Sequence, residues 1–135
     1  MNVDELISSL RYDYAWKGFV DVAIGDASSR MPLTVKADSN AGLSEIQRKA
    51  LKCILERNPL VSSSELEALY EYCKKAYDRE LPKEQFVKKI SATRVVVDYS
   101  GAWGITFAVP WEPEMEIAIR HDDTGVSVGL DDIII

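Results

Sequence analysis

The chain has 135 residues, 47% of them hydrophobic and 28% charged, which is the balance of one ordinary globular domain and not of a disordered tail. The formal charge of −6 disfavours direct nucleic-acid binding, because a phosphate backbone needs a basic stripe. No run approaches the ~18 consecutive apolar residues of a membrane helix, and the acidic start Met1-Asn2-Val3-Asp4-Glu5 is unlike a signal peptide, so a cytoplasmic protein is expected.

Leu6, Ile7 and Leu10 predict a short opening helix. From Tyr14 to Ile24 the aromatic and β-branched residues predict a strand. Gly25-Asp26-Ala27-Ser28-Ser29 reads as a turn, and Met31 to Ala37 alternates again, so the two runs form an antiparallel hairpin. A helix from Leu43 or Ser44 to Glu56 follows, with Ile46, Ala50, Cys53 and Ile54 as its apolar stripe, and Arg57-Asn58-Pro59 ends it. Ser64 and Glu67 fit a capping box for a second helix running to about Asp78, with Leu66, Leu69, Tyr70, Cys73, Ala76 and Tyr77 on one face. Pro82 opens a third, short helix through Ile90.

After Ser91 strand character returns: Arg94–Tyr99, Trp103–Val109, Glu114–Arg120 and Val126–Leu130, with Asp122-Asp123-Thr124-Gly125 as a hairpin turn and Ile133-Ile134-Ile135 as a last short strand. Clustered strands and helices predict a single α+β domain over residues 1–135. Its sheet is largely antiparallel, an N-terminal hairpin plus a C-terminal meander, with two to three helices on one face.

Charge is unevenly spread. Residues 1–42 carry four basic and six acidic side chains, residues 43–91 ten and eight, and residues 92–135 two and eight. Such asymmetry suits an acidic face that steers a basic partner. Glu112, Glu114, Glu116, Asp122, Asp123, Asp131 and Asp132 are its candidate contacts, and Trp111, between Pro110 and Pro113, is a candidate apolar anchor at the surface.

Enzymatic signatures are weaker. Glu112, Glu114 and Glu116 at two-residue spacing could hold a hard cation, but Pro113 interrupts the ladder between them. Cys53 or Cys73 with His121 and the neighbouring Asp122 could form a nucleophilic set, but both cysteines read as helix core and His121 as a strand end entering a turn. The spacing of Cys53, Cys73 and His121 does not match zinc sites, and the glycines lack the helix and basic residue of a phosphate loop. No catalytic residue, metal or cofactor is assigned.

Two blocks of text resemble a known family. One is Leu43-Ser44-Glu45-Ile46-Gln47-Arg48-Lys49-Ala50-Leu51 with the helix bearing Tyr70 and Tyr72. The other is Gly104-Ile105-Thr106-Phe107, then Trp111-Glu112-Pro113-Glu114, then Val128-Gly129-Leu130-Asp131-Asp132. Trp16-Lys17-Gly18 resembles the family's opening. The family is one of small, uncharacterised bacterial α+β domains associated with immunity proteins of polymorphic toxin and contact-dependent inhibition systems. The resemblance covers most of the chain. It implies a cytoplasmic antitoxin, monomeric or weakly dimeric, that binds a cognate basic toxin domain without turnover. Where the family carries Glu-His-Gly, this chain has Glu114-Met115-Glu116, so chemistry of that histidine does not carry over. Two other readings remain: a small hydrolase using the carboxylates or a Cys–His pair, and an adaptor that self-associates through its terminal strand.

Overall fold

The computed structural model describes residues 1–24, 27–77 and 81–134. Its elements, in chain order, are α1 (Val3–Ser9), β1 (Arg11–Tyr12), β2 (Trp16–Ile24), β3 (Ala27–Val35), α2 (Glu45–Glu56), α3 (Ser63–Tyr77), α4 (Lys83–Lys89), β4 (Ser91–Val97), β5 (Trp103–Val109), β6 (Glu112–Asp122) and β7 (Gly125–Leu130), closed by a 3₁₀ turn at Asp131–Ile133. The seven strands form one sheet in sequence order. Every neighbouring pair is antiparallel except β3 and β4, which run parallel in the register Leu33↔Val95 to Val35↔Val97. A parallel pair needs a long crossover, and α2, α3 and α4 supply it. The α+β class and the largely antiparallel sheet are thus as the sequence predicts, and α1 to α4 are the short opening helix and the three helices read between Leu43 and Ile90.

Alternation sorts the strands. Val20, Val22, Leu33, Val35, Val95, Val97, Ile105, Phe107, Ile117 and Ile119 share the main core with Leu51 and Ile54 of α2, Leu69 and Cys73 of α3 and Phe86 of α4. Full burial of each large aliphatic or aromatic side chain contributes about 1.5–3 kcal/mol. The apolar face of α2 is Gln47, Ala50, Leu51 and Ile54, one step around from the predicted stripe; Ile46 is 60% exposed and Cys53 is also exposed. Ser44 caps this helix in a reciprocal capping box with Gln47. The box that opens α3 lies two residues before the predicted one. Ser62 Oγ accepts from Glu65 N–H, and the Glu65 carboxylate accepts from Ser62 N–H. In α3 itself Ala76, placed on the apolar face by its spacing, is exposed.

Three further expectations are corrected or fall outside the description. Ala27, Ser28 and Ser29 belong to β3, in register with β2; Gly25, Asp26 and Asp78 lie outside the described residues. Ile133 and Ile134 do not form a strand. After the 3₁₀ turn Ile134 folds against the outer face of the sheet, where it is 1% exposed and packs with Val96, Ala102 and Ala118; Ile135 lies outside the described residues. The fit is close at Gly104, where a Cβ would lie 2.6 Å from Ile119 O and 3.1 Å from Ile134 Cγ1. Among the described residues no helix is long and apolar enough to cross a membrane.

Candidate functional site

The eight candidate contact residues do not share one surface. Glu112 pairs with Val109 and His121 with Trp103, so Glu112 and Asp122 stand roughly 23 Å apart at ~3.3 Å per residue. The pairing Ile117↔Leu130 returns the chain to the first end, placing Asp131 and Asp132 beside the Glu112–Glu116 segment. Glu112, Glu114, Glu116, Asp131 and Asp132 therefore lie toward one end of the β6–β7 pair, and Asp122 and Asp123 sit apart at the β6–β7 turn.

Within the first group the side chains differ. Glu112 turns toward the helices beside Tyr77, whose phenol is pushed up to about 12 by burial and then by the charge of this carboxylate. The Tyr72 phenol is likewise raised, by burial first and also by the negative charges of Asp132 and Glu112, so both acids lie in its field. Glu116 precedes the inward Ile117 and so faces outward, while Glu114 is exposed. Among the described residues none of these five carboxylates is in an ion pair. Trp111 departs from the surface role predicted for it. The two flanking prolines turn it inward, and it is half-buried with its ring 5.9 Å from that of Phe86. It also contacts the Cys73 thiol, which burial pushes up to about 11 despite that contact.

Asp122 is committed to its own turn. Its carboxylate accepts from Thr124 N–H at 2.8 Å and Thr124 Oγ1 at 2.6 Å, and it pairs with Arg120. These bonds, those from Thr124 foremost, hold its pKa below the usual carboxylate value. Asp123, one residue on, is exposed.

The structure contains a buried polar network that the sequence reading missed. His121 extends the inward series Ile117, Ile119 by one step and is 8% exposed. It lies opposite Trp103 across β5 and β6, and the two rings stack at 4.0 Å with parallel planes. Its Nε2 is 2.8 Å from Glu65 Oε2. Glu65 Oε1 also receives Arg57 Nη2 at 2.7 Å, and the Arg57 guanidinium lies 5.4 Å from the Trp103 ring centre. Arg57 itself is anchored to Leu60 O at 3.1 Å. The loop after α2, the first turn of α3 and the end of β6 are thereby tied together. Two signals could have located the network: the unbroken period of β6 through position 121, and the capping spacing from Ser62 to Glu65.

His121 feels opposing influences. Glu65 and Asp122 favour its charged form, while burial, the largest effect, and Arg57 disfavour it, and its pKa falls below the usual 6.5. The Glu65 charge is already shared with Arg57 and the Ser62 amide, which leaves burial dominant. In the unfolded chain the same histidine takes up its proton near 6.5, so the folded state binds fewer protons below that pH. Its stability contribution is complete above 6.5 and is lost as pH falls from there through the lower folded value. The thermal midpoint should drop more steeply between pH 7 and pH 5 in the parent than in His121→Gln, as followed by circular dichroism. Equal slopes would show that His121 does not titrate differently in the two states.

Cys53 lines a cavity of about 340 Å³ together with Arg57, Trp103 and His121. Among the described residues neither this cysteine nor Cys73 hydrogen-bonds the imidazole, whose Nε2 is occupied by Glu65. Nor do three His, Cys, Asp or Glu side chains converge to hold a metal ion among those residues.

A concavity of about 620 Å³ runs between α3 and the edge strand β7. Ala68, Glu71, Tyr72 and Lys75 line one wall, and Val126 and Val128 the other. It passes from the Arg57–Glu65 pair at one end toward Tyr72 and the acidic group at the other.

Residues 6–135 match a family described as a domain of unknown function, DUF6985. No curated protein and no solved structure matches the chain.

Proposed function

The chain belongs to the DUF6985 family of unknown function, and we propose that it is a non-catalytic binding protein of the immunity type, which docks a basic bacterial toxin domain in the cytoplasm and blocks it. The observation that carries this reading is the concentration of Glu112, Glu114, Glu116, Asp131 and Asp132 toward one end of the β6–β7 pair, contributed by two chain segments and, among the described residues, outside every ion pair. An acidic end left without counter-charges steers and docks a cationic surface. The uneven charge of the chain and the resemblance to toxin-immunity domains support the same reading.

The partner to test is the protein encoded by the adjacent gene, titrated calorimetrically against the full chain. Glu114→Lys with Asp132→Lys changes two exposed side chains and should leave the fold intact. Affinity should fall at least about tenfold, with a shallower dependence on salt, and cells should lose protection from the toxin. Unchanged affinity in the double variant, or a neighbour that is no toxin and against which the chain protects nothing, would remove this reading.

A further inference from the structure

Strand β7 ends the sheet, and among the described residues no other strand pairs with its outer side. Its register with β6 is regular over six pairs, from Asp122↔Gly125 to Ile117↔Leu130. Because only Asp123 and Thr124 separate Asp122 from Gly125, that closing pair must exchange both backbone hydrogen bonds. Val126, Val128 and Leu130 then fall in the alternate pairs, with their N–H and C=O groups pointing away from β6. The strand, Gly125-Val126-Ser127-Val128-Gly129-Leu130, has none of the proline, lysine or bulge by which sheet edges are usually blunted. The opposite edge is different: β1 covers the start of β2, and the Ile24–Val61 bridge covers its end.

This bare edge borders the groove described above. Val126, 50% exposed, and Val128 present their side chains to it, and the facing wall is one side of α3. Acids stand at both ends of the strand, Asp123 before it and Asp131 and Asp132 after it, with Glu112 near Tyr72. Against them the lining offers Lys75 as its one cation outside an ion pair among the described residues.

We infer that β7 and α3 form a strand-addition site that receives an extended, cationic segment of a partner protein as an eighth strand. This rests on the binding function proposed above and names how that binding occurs. Backbone hydrogen bonds to Val126, Val128 and Leu130 hold the guest. Alternate apolar side chains of the guest enter the groove against Ala68 and Tyr72, and basic residues flanking them meet Asp123 at one end and Asp131 and Asp132 at the other.

The probe is a capped peptide, Lys-Lys-Val-Thr-Val-Thr-Val-Lys-Lys, added to the ¹⁵N-labelled full chain. Its amides at Val126, Val128 and Leu130 should exchange with solvent at least tenfold more slowly, with binding read by fluorescence anisotropy. A peptide with Glu in place of Lys should bind at least tenfold more weakly. N-methylation of the peptide's central valine, which removes a backbone donor without touching the protein, should weaken binding by a similar factor, as should Val128→Pro. Binding insensitive to N-methylation, with those three amides unaltered, overturns strand addition while leaving the acidic docking surface standing. A lysine peptide that does not bind also overturns strand addition, and the toxin titration then decides the binding function separately.

Discussion

Replacing Gln47 by alanine should lower the unfolding free energy by about 3 kcal/mol and the thermal midpoint by roughly 10 °C. Gln47 is 2% exposed, and its side chain is fully used. Nε2 donates to Lys36 O at 2.7 Å and to Asp98 O at 3.0 Å, while Oε1 accepts from Ser44 N–H at 3.1 Å. Lys36 and Asp98 directly follow β3 and β4, the sheet's parallel pair, whose ladder ends at the bond from Lys36 N–H to Val97 O. One amide therefore pins the first turn of α2 to the place where two strands leave the sheet. Alanine leaves Lys36 O without its donor, takes one of two donors from Asp98 O (which keeps Gly101 N–H at 3.1 Å), uncaps Ser44 N–H and leaves a void, and an unmet buried group alone costs about 1–3 kcal/mol. Ser44→Ala, which removes only one side of the cap, should cost about 1 kcal/mol. Urea unfolding of both variants checks the ranking. A Gln47→Ala loss no larger than that of Ser44→Ala would mean that water replaces the two carbonyl contacts.

Gln47 also shows where the sequence stops being legible. A polar residue at a buried helical position breaks the periodic pattern, so the stripe drawn through Ile46 and Cys53 followed the apolar residues and missed the face that the glutamine occupies. Strands were easier to read. Alternation from Trp103 to Val109 and from Met115 to Ile119 needs only local information, and Trp103, Ile105, Phe107, Val109, Ile117 and Ile119 do enter the main core, although Gly104, Thr106 and Ala118 between them are buried on the other face and Met115 is only half-buried. The meander was legible because its turns carry Ser100-Gly101 and Asp123-Thr124. The parallel β3–β4 pair was not, since nothing local to either strand records which neighbour it joins across three helices. Nor was the docking of Ile134, whose site on the outer face depends on the small residues Gly104 and Ala118. Of the predicted contact residues, five lie toward one end of the β6–β7 pair because register brought Leu130 opposite Ile117, with Glu112 on the helix side of the sheet and Glu116 on the other. Asp122 did not join them, being at the far end of its strand and held by Thr124 and Arg120. Trp111 was misjudged because flanking prolines mark a bend without saying to which side the bend points.

Glu65→Ala should destabilise by about 3 kcal/mol, and its pH dependence should separate it from Arg57→Ala. The Glu65 carboxylate joins the Ser62 amide, Arg57 and His121 while its side chain is only 9% exposed. Removing it leaves a half-buried guanidinium, an uncapped amide and a buried imidazole with an unmatched nitrogen, the kind of one-sided deletion that costs most in a low-dielectric setting. It also removes the strongest influence raising the His121 pKa, which then falls further below 6.5. The interval over which the unfolded chain alone binds the proton widens, so the deficit grows as pH drops. Arg57→Ala acts in the opposite sense. Arg57 disfavours protonated His121, and its loss leaves Glu65 with that imidazole as its nearest compensating charge. The folded histidine then binds its proton more readily, and the deficit of this variant shrinks as pH falls through about 6.5. Urea unfolding at pH 7.5 and pH 5.5 measures both deficits. Deficits that change in the same direction would show that Arg57 and Glu65 do not act on His121 with opposite charge, and that the stacked Trp103–His121 pair holds the hairpin by packing alone.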